Sequence, residues 1–595
     1  MTVPSKAIEA FRARADLAEY GSNALLLFAL QLRWGITDID GVAASALTDQ
    51  ANDKKCDLVY VDRGAGRIVV AQGYLSEKDL QAAPANKASD LNTAVTWLLS
   101  GDLDALPETL RSAAEEVRDS IEHDEINDFH IWYSHNAPES ANVQTELEQG
   151  VRTADGMLAR YFPNAQVSVS ALEIGLAQLE DMYARTEAPI AVSAQFELSV
   201  PGGFEIISDR WRAFTTAVPG TWLREQWDLY KGDLMSPNVR DYLGIVRSER
   251  NINNGIKTTA STTPENFWIY NNGITALVHS YEAIGPETDG SYLLKLKGLG
   301  IVNGAQTTGS IATLTETDAP HLDRTSVLTR FVKCDDPDVL GDIVKFNNTQ
   351  NKVEASDFRS KDAVQERLRK EFEEIPDADY RGGRRGGVRD AIERSRNLLP
   401  DSAVAQALAA FAVQPNLAYN ETRRIWEENG VYSRYFTDRT SARHIVFAYS
   451  LLRGLESTKK RIADVSETDR TEAQRRHMQF FRRRGSIHLL VAAISSSIET
   501  FLGEPVPDRT QLHFIDNCSP KDGMDRWQPV IDVALSFSAQ LIDATDNGLK
   551  NAETVKNAIS TFDSMIEATA EANAEKYTTF AELVESIAAE PAPGS

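Results

Sequence analysis

Four short blocks between Asn238 and Asn351 restrict this chain more than anything else in it. They read Asn238-Val-Arg-Asp-Tyr-Leu-Gly244, Pro264-Glu-Asn-Phe-Trp-Ile-Tyr-Asn-Asn-Gly-Ile-Thr275, Ile301-Val-Asn-Gly-Ala-Gln-Thr-Thr308 and Lys345-Phe-Asn-Asn-Thr-Gln-Asn351. Each sets an apolar or aromatic run directly against side-chain amides and glycine. Amides offer paired donors and acceptors without charge, and glycine lets a ligand or another backbone approach closely. Any one block is explained by an Asn-Gly turn. Four returns to the same chemistry predict that strand ends deliver amides to one pocket. The candidate ligand-binding residues are Arg240, Asn271, Asn272, Asn303, Gln306, Asn347 and Asn348.

Together these motifs resemble the abortive-infection phage-resistance (AIPR) family of bacteria, over about residues 185–400. The resemblance implies a central α/β domain and a role in antiphage defence, and implies little about chemistry. The block Ile301–Gly309 also resembles the strand–turn–helix signature Asp-Gly-Gln-x-Arg of a partition-protein and sulfiredoxin-like nucleotide-binding superfamily. There the helix N-terminus holds phosphate through backbone N–H groups. Here Asn303 stands where that signature has Asp, and Thr307–Thr308 where it has Arg. Both departures remove charges that hydrolysis would use, so the comparison favours binding over turnover.

A chain of 595 residues supports about three or four domains. Hydrophobic residues make up 42% and charged residues 25%, the balance of a soluble globular protein. A net charge of −25 argues against coating nucleic acid with the whole surface, though a local basic channel stays compatible with it. Cys56, Cys334 and Cys518 are scattered, which excludes a disulfide framework or thiolate zinc site and suits a reducing compartment. Met1–Lys6 shows no secretory signal, and Ala24–Leu30 is too short to span a bilayer. The expectation is a cytoplasmic protein with no membrane partner.

From the N-terminus, the pattern predicts a helix over 5–33 and a hairpin of Cys56–Asp62 with Arg67–Tyr74. A helix follows near 88–100, then a strand at Phe129–Tyr133, a helix over 143–161 and a strand at Gln166–Ser170. That order resembles the restriction-endonuclease-like core. Such an enzyme places an acid on one strand, then an acid or Gln on the next, with Lys two residues later, to bind Mg²⁺ and activate water. Asp57 and Gln72 match the first two positions, with Asp57 as the metal ligand, but Tyr74 stands where the Lys belongs. Lys78 lies farther along, and Asp38 and Asp40 lie upstream. The catalytic candidates are therefore Asp57, Gln72 and Lys78 in a degenerate or altered site.

Strands at Ile190–Ser199 and Phe204–Ile207 are expected to pair and open the second domain. Arg210, Arg212 and Arg224 interleave with Trp211, Trp222 and Trp227, which suits phosphate contact with base stacking or, more simply, Arg stems packed over tryptophans. Arg381, Arg384 and Arg385, in the Gly-Arg loop at 381–387, are the candidate nucleic-acid contacts. Beyond Asp401 the apolar spacing is helical almost to the end, and a homodimer through these helices is expected. Arg475-Arg476 and Arg482-Arg-Arg484 flank Phe480-Phe481, a pattern shared by nucleic-acid contacts, dimer helices and plain solvated faces.

The expected architecture is multidomain α/β. A restriction-endonuclease-like domain occupies 1–180, a central AIPR-type α/β domain 185–400, a helical domain 401–589 and a disordered tail 590–595. Three functions are open: a defence protein that recognises a nucleotide or nucleic-acid feature, a Mg²⁺-dependent nuclease effector, or a scaffold that partners other defence proteins.

Overall fold

The computed structural model describes residues 5–48, 56–187, 190, 192–230, 234–235, 256–288, 290–312, 314, 322–336, 339–340, 343, 359, 362–383 and 397–586. The first unit is built on a four-stranded sheet of β1 (Leu58–Asp62), β2 (Arg67–Tyr74), β3 (Asp128–His135) and β4 (Ser168–Ile174), in that order. β1 is antiparallel to β2, and β2, β3 and β4 run parallel. Alternation along β2 buries both faces. Ile68 and Val70 meet helices Ala85–Ser100, Glu108–Glu122 and Ala141–Tyr161, while Val69 and Ala71 meet helices Lys6–Ala13, Ala24–Trp34, Ile39–Ala46 and Leu176–Glu187. The result is a three-layer α/β/α sandwich.

The expected continuous helix over 5–33 is broken. Gly21 adopts φ 54° and ψ −124° between helices Lys6–Ala13 and Ala24–Trp34, a conformation no α-helix contains and glycine takes without a Cβ clash. The apolar spacing alone does not register that break.

Among the described residues the central unit holds seven strands. They are β5 (Val192–Val200), β6 (Gly203–Ile207), β7 (Trp211–Pro219), β8 (Ile274–Leu277), β9 (Ser280–Ile284), β10 (Tyr292–Asn303) and β11 (Ser326–Cys334). The path is β5-β10-β8-β11-β7-β6, with β9 also on β10. The expected β5–β6 pair does not form: β5 bonds β10 and β6 bonds β7, at opposite ends of the path. Only Pro201 and Gly202 join them, a link that spans about 10 Å. A flat six-strand path would separate its ends by more than 20 Å at about 4.8 Å per strand, so the sheet must curl until its ends approach. The side chains agree: Tyr281 of β9 bonds Glu205 of β6 at 2.5 Å, and Arg212 of β7 bonds the Tyr281 carbonyl at 3.2 Å. The curl wraps a core of Phe196, Leu198, Phe214, Leu296, Ile301 and Phe331.

The rest is mostly helical, as expected, with one core around helix Ala442–Ala463 and two short strand pairs, Asp379–Tyr380 with Leu398–Leu399 and Leu512–Phe514 with Val584–Ser586. That core begins before 401, since Leu368, Phe372, Tyr380 and Leu399 belong to it rather than to the central sheet. The apolar faces between 401 and 580 pack against one another within a single chain, so their spacing does not call for a second copy. Among the described residues no helix is long and apolar enough to cross a membrane.

Candidate functional site

Two of the four amide blocks fall in the described residues, and the sheet brings them together. Asn303 ends β10, and directly across the ladder is Thr275 of β8. Because these strands are antiparallel, Asn271 and Asn272 precede the start of β8 while Asn303 closes β10. The amides thus gather at the C-terminal end of one strand and the N-terminal end of its neighbour, not at the C-terminal ends of parallel strands as an open α/β sheet would place them.

Two glycines make this possible. Gly304 has φ +100°, and a Cβ there would stand 2.4 Å from Cγ2 of Ile274 and 2.9 Å from the Gly273 carbonyl. Gly273 has φ +76°, with the Leu328 carbonyl 2.2 Å from its missing Cβ. The two turns press backbone to backbone, which only glycine permits. Asn271 then ties them. Its Oδ1 accepts from the Gly273 N–H at 2.8 Å, an Asx turn, and from Oγ1 of Thr307 at 3.2 Å, joining the second block to the third. Helix Ala305–Ala312 follows, with Thr308 N–H and Oγ1 both donating to the Gly304 carbonyl.

Asn271 is therefore occupied in holding the turns. Gln306, half-buried on the same helix start, and Asn272, exposed, make no side-chain hydrogen bond among the described residues. Oγ1 of Thr275 is buried beside Asn303 without a partner. Arg240, Asn347 and Asn348 lie outside the described residues, as do Arg384 and Arg385. Arg381 reaches Asp379 at 3.5 Å and lends its carbonyl to Arg369. Of the Arg–Trp stretch, Trp222 and Trp227 pack into the central core, and Arg212 stacks over Tyr281 at 4.6 Å.

In the first unit, Asp57 sits just ahead of β1, and its Oδ2 accepts from the Gly73 N–H at 2.7 Å. Gln72 is buried with Oε1 unpartnered. Lys78 does not return to them. Asn136 clamps Ser76 through bonds of 2.8 and 2.7 Å, and Ser76 turns the chain so that Lys78 is exposed. Asp38 and Asp40 are engaged elsewhere, Asp38 with Arg453 at 2.5 Å and Asp40 with Tyr20 at 3.2 Å. Among the described residues no group of three His, Cys, Asp or Glu is placed to hold a metal. One carboxylate and one neutral amide fall short of the oxygen set Mg²⁺ takes, and no metal step is assigned to them.

A pair that the sequence did not single out lies on the same sheet end. Nε2 of His135 is 3.0 Å from Oε1 of Glu173, and Glu173 also accepts from the Ser140 N–H at 3.1 Å. Burial pushes the Glu173 carboxyl up to about 7 and the His135 imidazole down, so below about 7 the proton sits on Glu173 and His135 stays neutral. Glu173 and Asp57 both act on Tyr133, whose hydroxyl burial keeps protonated.

Fold and site thus define a protein with an α/β/α sandwich, a curled central sheet with an amide-lined end, and a helical body. A family model described as AIPR protein matches residues 235–503. The match covers the amide blocks and runs on through the helical body to Gly503, well past the 400 expected from the motifs. No curated protein and no solved structure matches the chain.

Proposed function

We propose that the chain is an antiphage defence protein of the abortive-infection kind whose central unit binds a nucleotide or a nucleic-acid feature at the amide-lined end of its sheet. The observation that carries this is the division of labour at that end. Asn271 is consumed in locking two glycine turns together, which leaves the Gln306 amide beside them unengaged at the start of a helix. A scaffold that spends one amide to present another suits recognition of a polar, planar group.

The test is Gln306→Ala. It should leave the melting temperature nearly unchanged, weaken binding of adenosine triphosphate or single-stranded DNA by about 1–3 kcal/mol, and restore phage plaquing on cells that express it. A stable variant with full protection overturns the reading.

A second reading, a nuclease-like first unit, is supported by Asp57 set against the Gly73 amide next to the buried, unpartnered Gln72 carbonyl. With Tyr74 in place of an ammonium, purified protein should show weak or no Mg²⁺-dependent cleavage. Strong cleavage that Asp57→Ala abolishes would promote this reading over the first.

A further inference from the structure

The ladder of the central sheet lines up residues from five strands. Asn303 of β10 lies opposite Thr275 of β8, Thr275 opposite Arg330 of β11, Arg330 opposite Thr215 of β7, and Thr215 opposite Phe204 of β6. Paired residues share a face, and here it is the outer one. Ile274 and Phe331, next in sequence to Thr275 and Arg330, point the other way into the core that the curl wraps. One row along the outer face, Leu277 and Val332 are buried against Ile190, Leu340 and Ile343. In the row itself Arg330 and Phe204 are exposed, Phe204 at 59%, as is Ile206 at 52% two residues on.

The fold leaves polar groups in this row unmet. Arg330 has no carboxylate, hydrogen-bond or ring partner among the described residues. Thr275, 3% exposed, stands between Arg330 and Asn303 with its Oγ1 buried and unpartnered. A desolvated hydroxyl without a partner costs stability, and folds keep few of them. The five strands of the row carry Arg212, Lys295, Lys297, Arg330 and Lys333 against one acid, Glu205, in a chain of net charge −25. Glu205 lies on the inner face, bonded to Tyr281, and Lys295 meets Glu197 of β5 at 3.2 Å. The outer row thus joins an amide, an unmet hydroxyl, an unpaired guanidinium and an exposed phenyl ring, with no carboxylate among them.

Each of these groups meets a part of a nucleic-acid strand: the guanidinium a phosphate, the ring a base face, the amide and hydroxyl a base edge. Asn303 and Phe204 are four strand steps apart, about 19 Å at about 4.8 Å per step, so no single base meets both. We infer that a single strand of nucleic acid lies across the outer face along this row. A phosphate sits on Arg330, one base stacks on Phe204, and another turns its edge to Asn303 and Thr275. The inference rests on reading the amide-lined end as a site for a nucleotide or a nucleic-acid feature, and decides between those two in favour of the strand.

The probes are fluorescein-labelled oligothymidylate and oligouridylate of about 15 nucleotides, added to the full chain and read by anisotropy over a salt series, with adenosine triphosphate measured beside them. Arg330→Gln should lower oligonucleotide affinity about tenfold and reduce the salt slope by about one. Phe204→Ser should lower it about tenfold and leave the slope unchanged. Lys333→Gln removes the same charge from the same strand but on the inner face, and should change nothing. Thr275→Val should weaken binding several-fold while the melting temperature holds or rises, since the unmet hydroxyl is gone; a purely structural threonine would lose stability and keep its affinity. A parent chain that binds adenosine triphosphate but neither oligonucleotide overturns this inference and leaves the amide-lined end standing; one that binds none of the three overturns both. Equal losses in Arg330→Gln and Lys333→Gln would reduce the effect to overall charge and overturn it. So would Phe204→Ser that shifts the mass by light scattering with oligonucleotide affinity intact, which would make this face a contact with a second copy.

Discussion

Gly304 shows how one position can decide whether the amide-lined end exists. Its φ of +100° is open to glycine, and the missing Cβ leaves room for Ile274 and the Gly273 carbonyl. Gly304→Ala is expected to cost more than about 2 kcal/mol, since backbone strain and a clash with another backbone add. Gly290→Ala is the control: its φ is +83°, but nothing lies within 4 Å, so only the conformational cost of about 1 kcal/mol applies. Urea midpoints for the two variants check this, and equal losses would refute the packing argument. Glu173 offers a second residue-scale expectation. Its folded carboxyl titrates near 7, above the usual 4.5, so the fold binds a proton that the unfolded chain releases between those values. The stability it contributes is present below 4.5 and lost as pH rises through 7. Glu173→Gln cannot ionise, so its stability relative to the parent should climb by about 1–3 kcal/mol from pH 5 to pH 8. A difference that stays flat with pH would show that Glu173 is not held protonated.

Single elements were legible where short alternation or a strong apolar face announced them. The hairpin of β1 and β2, the strand at Asp128–His135 and the helix at Ala85–Ser100 all fall within a few residues of their expected places. Helix Glu108–Glu122 escaped because two of its five buried apolar residues are alanine, Ala113 and Ala114 beside Leu110, Val117 and Ile121, amid seven acidic or basic residues. The β5–β6 pairing failed for a different reason: adjacency in sequence is a good guide in a flat sheet and a poor one in a curled sheet. The contact of Asn271 with Thr307 was foreshadowed by the repeated amide chemistry. That of His135 with Glu173 was not, because only the parallel register of β3 and β4 brings together residues 38 positions apart. Between elements, the contact to probe is Arg453 of helix Ala442–Ala463, buried and bonded to Asp38, the N-cap of helix Ile39–Ala46, and to Glu456. Arg453→Met strands two acids in the interior and should cost about 3–5 kcal/mol. Adding Asp38→Asn should recover part of that loss, so the double variant is more stable than the two single losses sum to. Strict additivity in a double-mutant cycle would mean that the two side chains are not coupled.

For the whole molecule, pH sets groups of opposite sign against each other. Burial holds His130 down to about 3 and His444 and His488 down to about 4, so the fold keeps them neutral while the unfolded chain protonates them near 6.5. These depressed bases give stability that is present above 6.5 and lost as pH falls toward 4, and His135, His477 and His513 add in the same direction. Glu173 and Glu456 are raised, chiefly by burial, and gain stability as pH falls from 7 to 4.5. Between about 4.5 and 6.5 the two carboxyls offset much of the histidine loss, and the net slope should be on the order of 1 kcal/mol per pH unit. Below 4.5 the unfolded chain protonates its carboxyls too, that offset saturates, and the slope should steepen to on the order of 4 kcal/mol per unit. Removing Glu173 by the Gln substitution takes away one of the two opposing groups and leaves Glu456, so between about 4.5 and 6.5 the slope should rise to on the order of 3 kcal/mol per unit. Chemical denaturation of both proteins from pH 7.5 to 4 measures these slopes. A parent chain that grows more stable from pH 6.5 to 5 would mean that the buried histidines are not held neutral, and the account of their burial would fail with it.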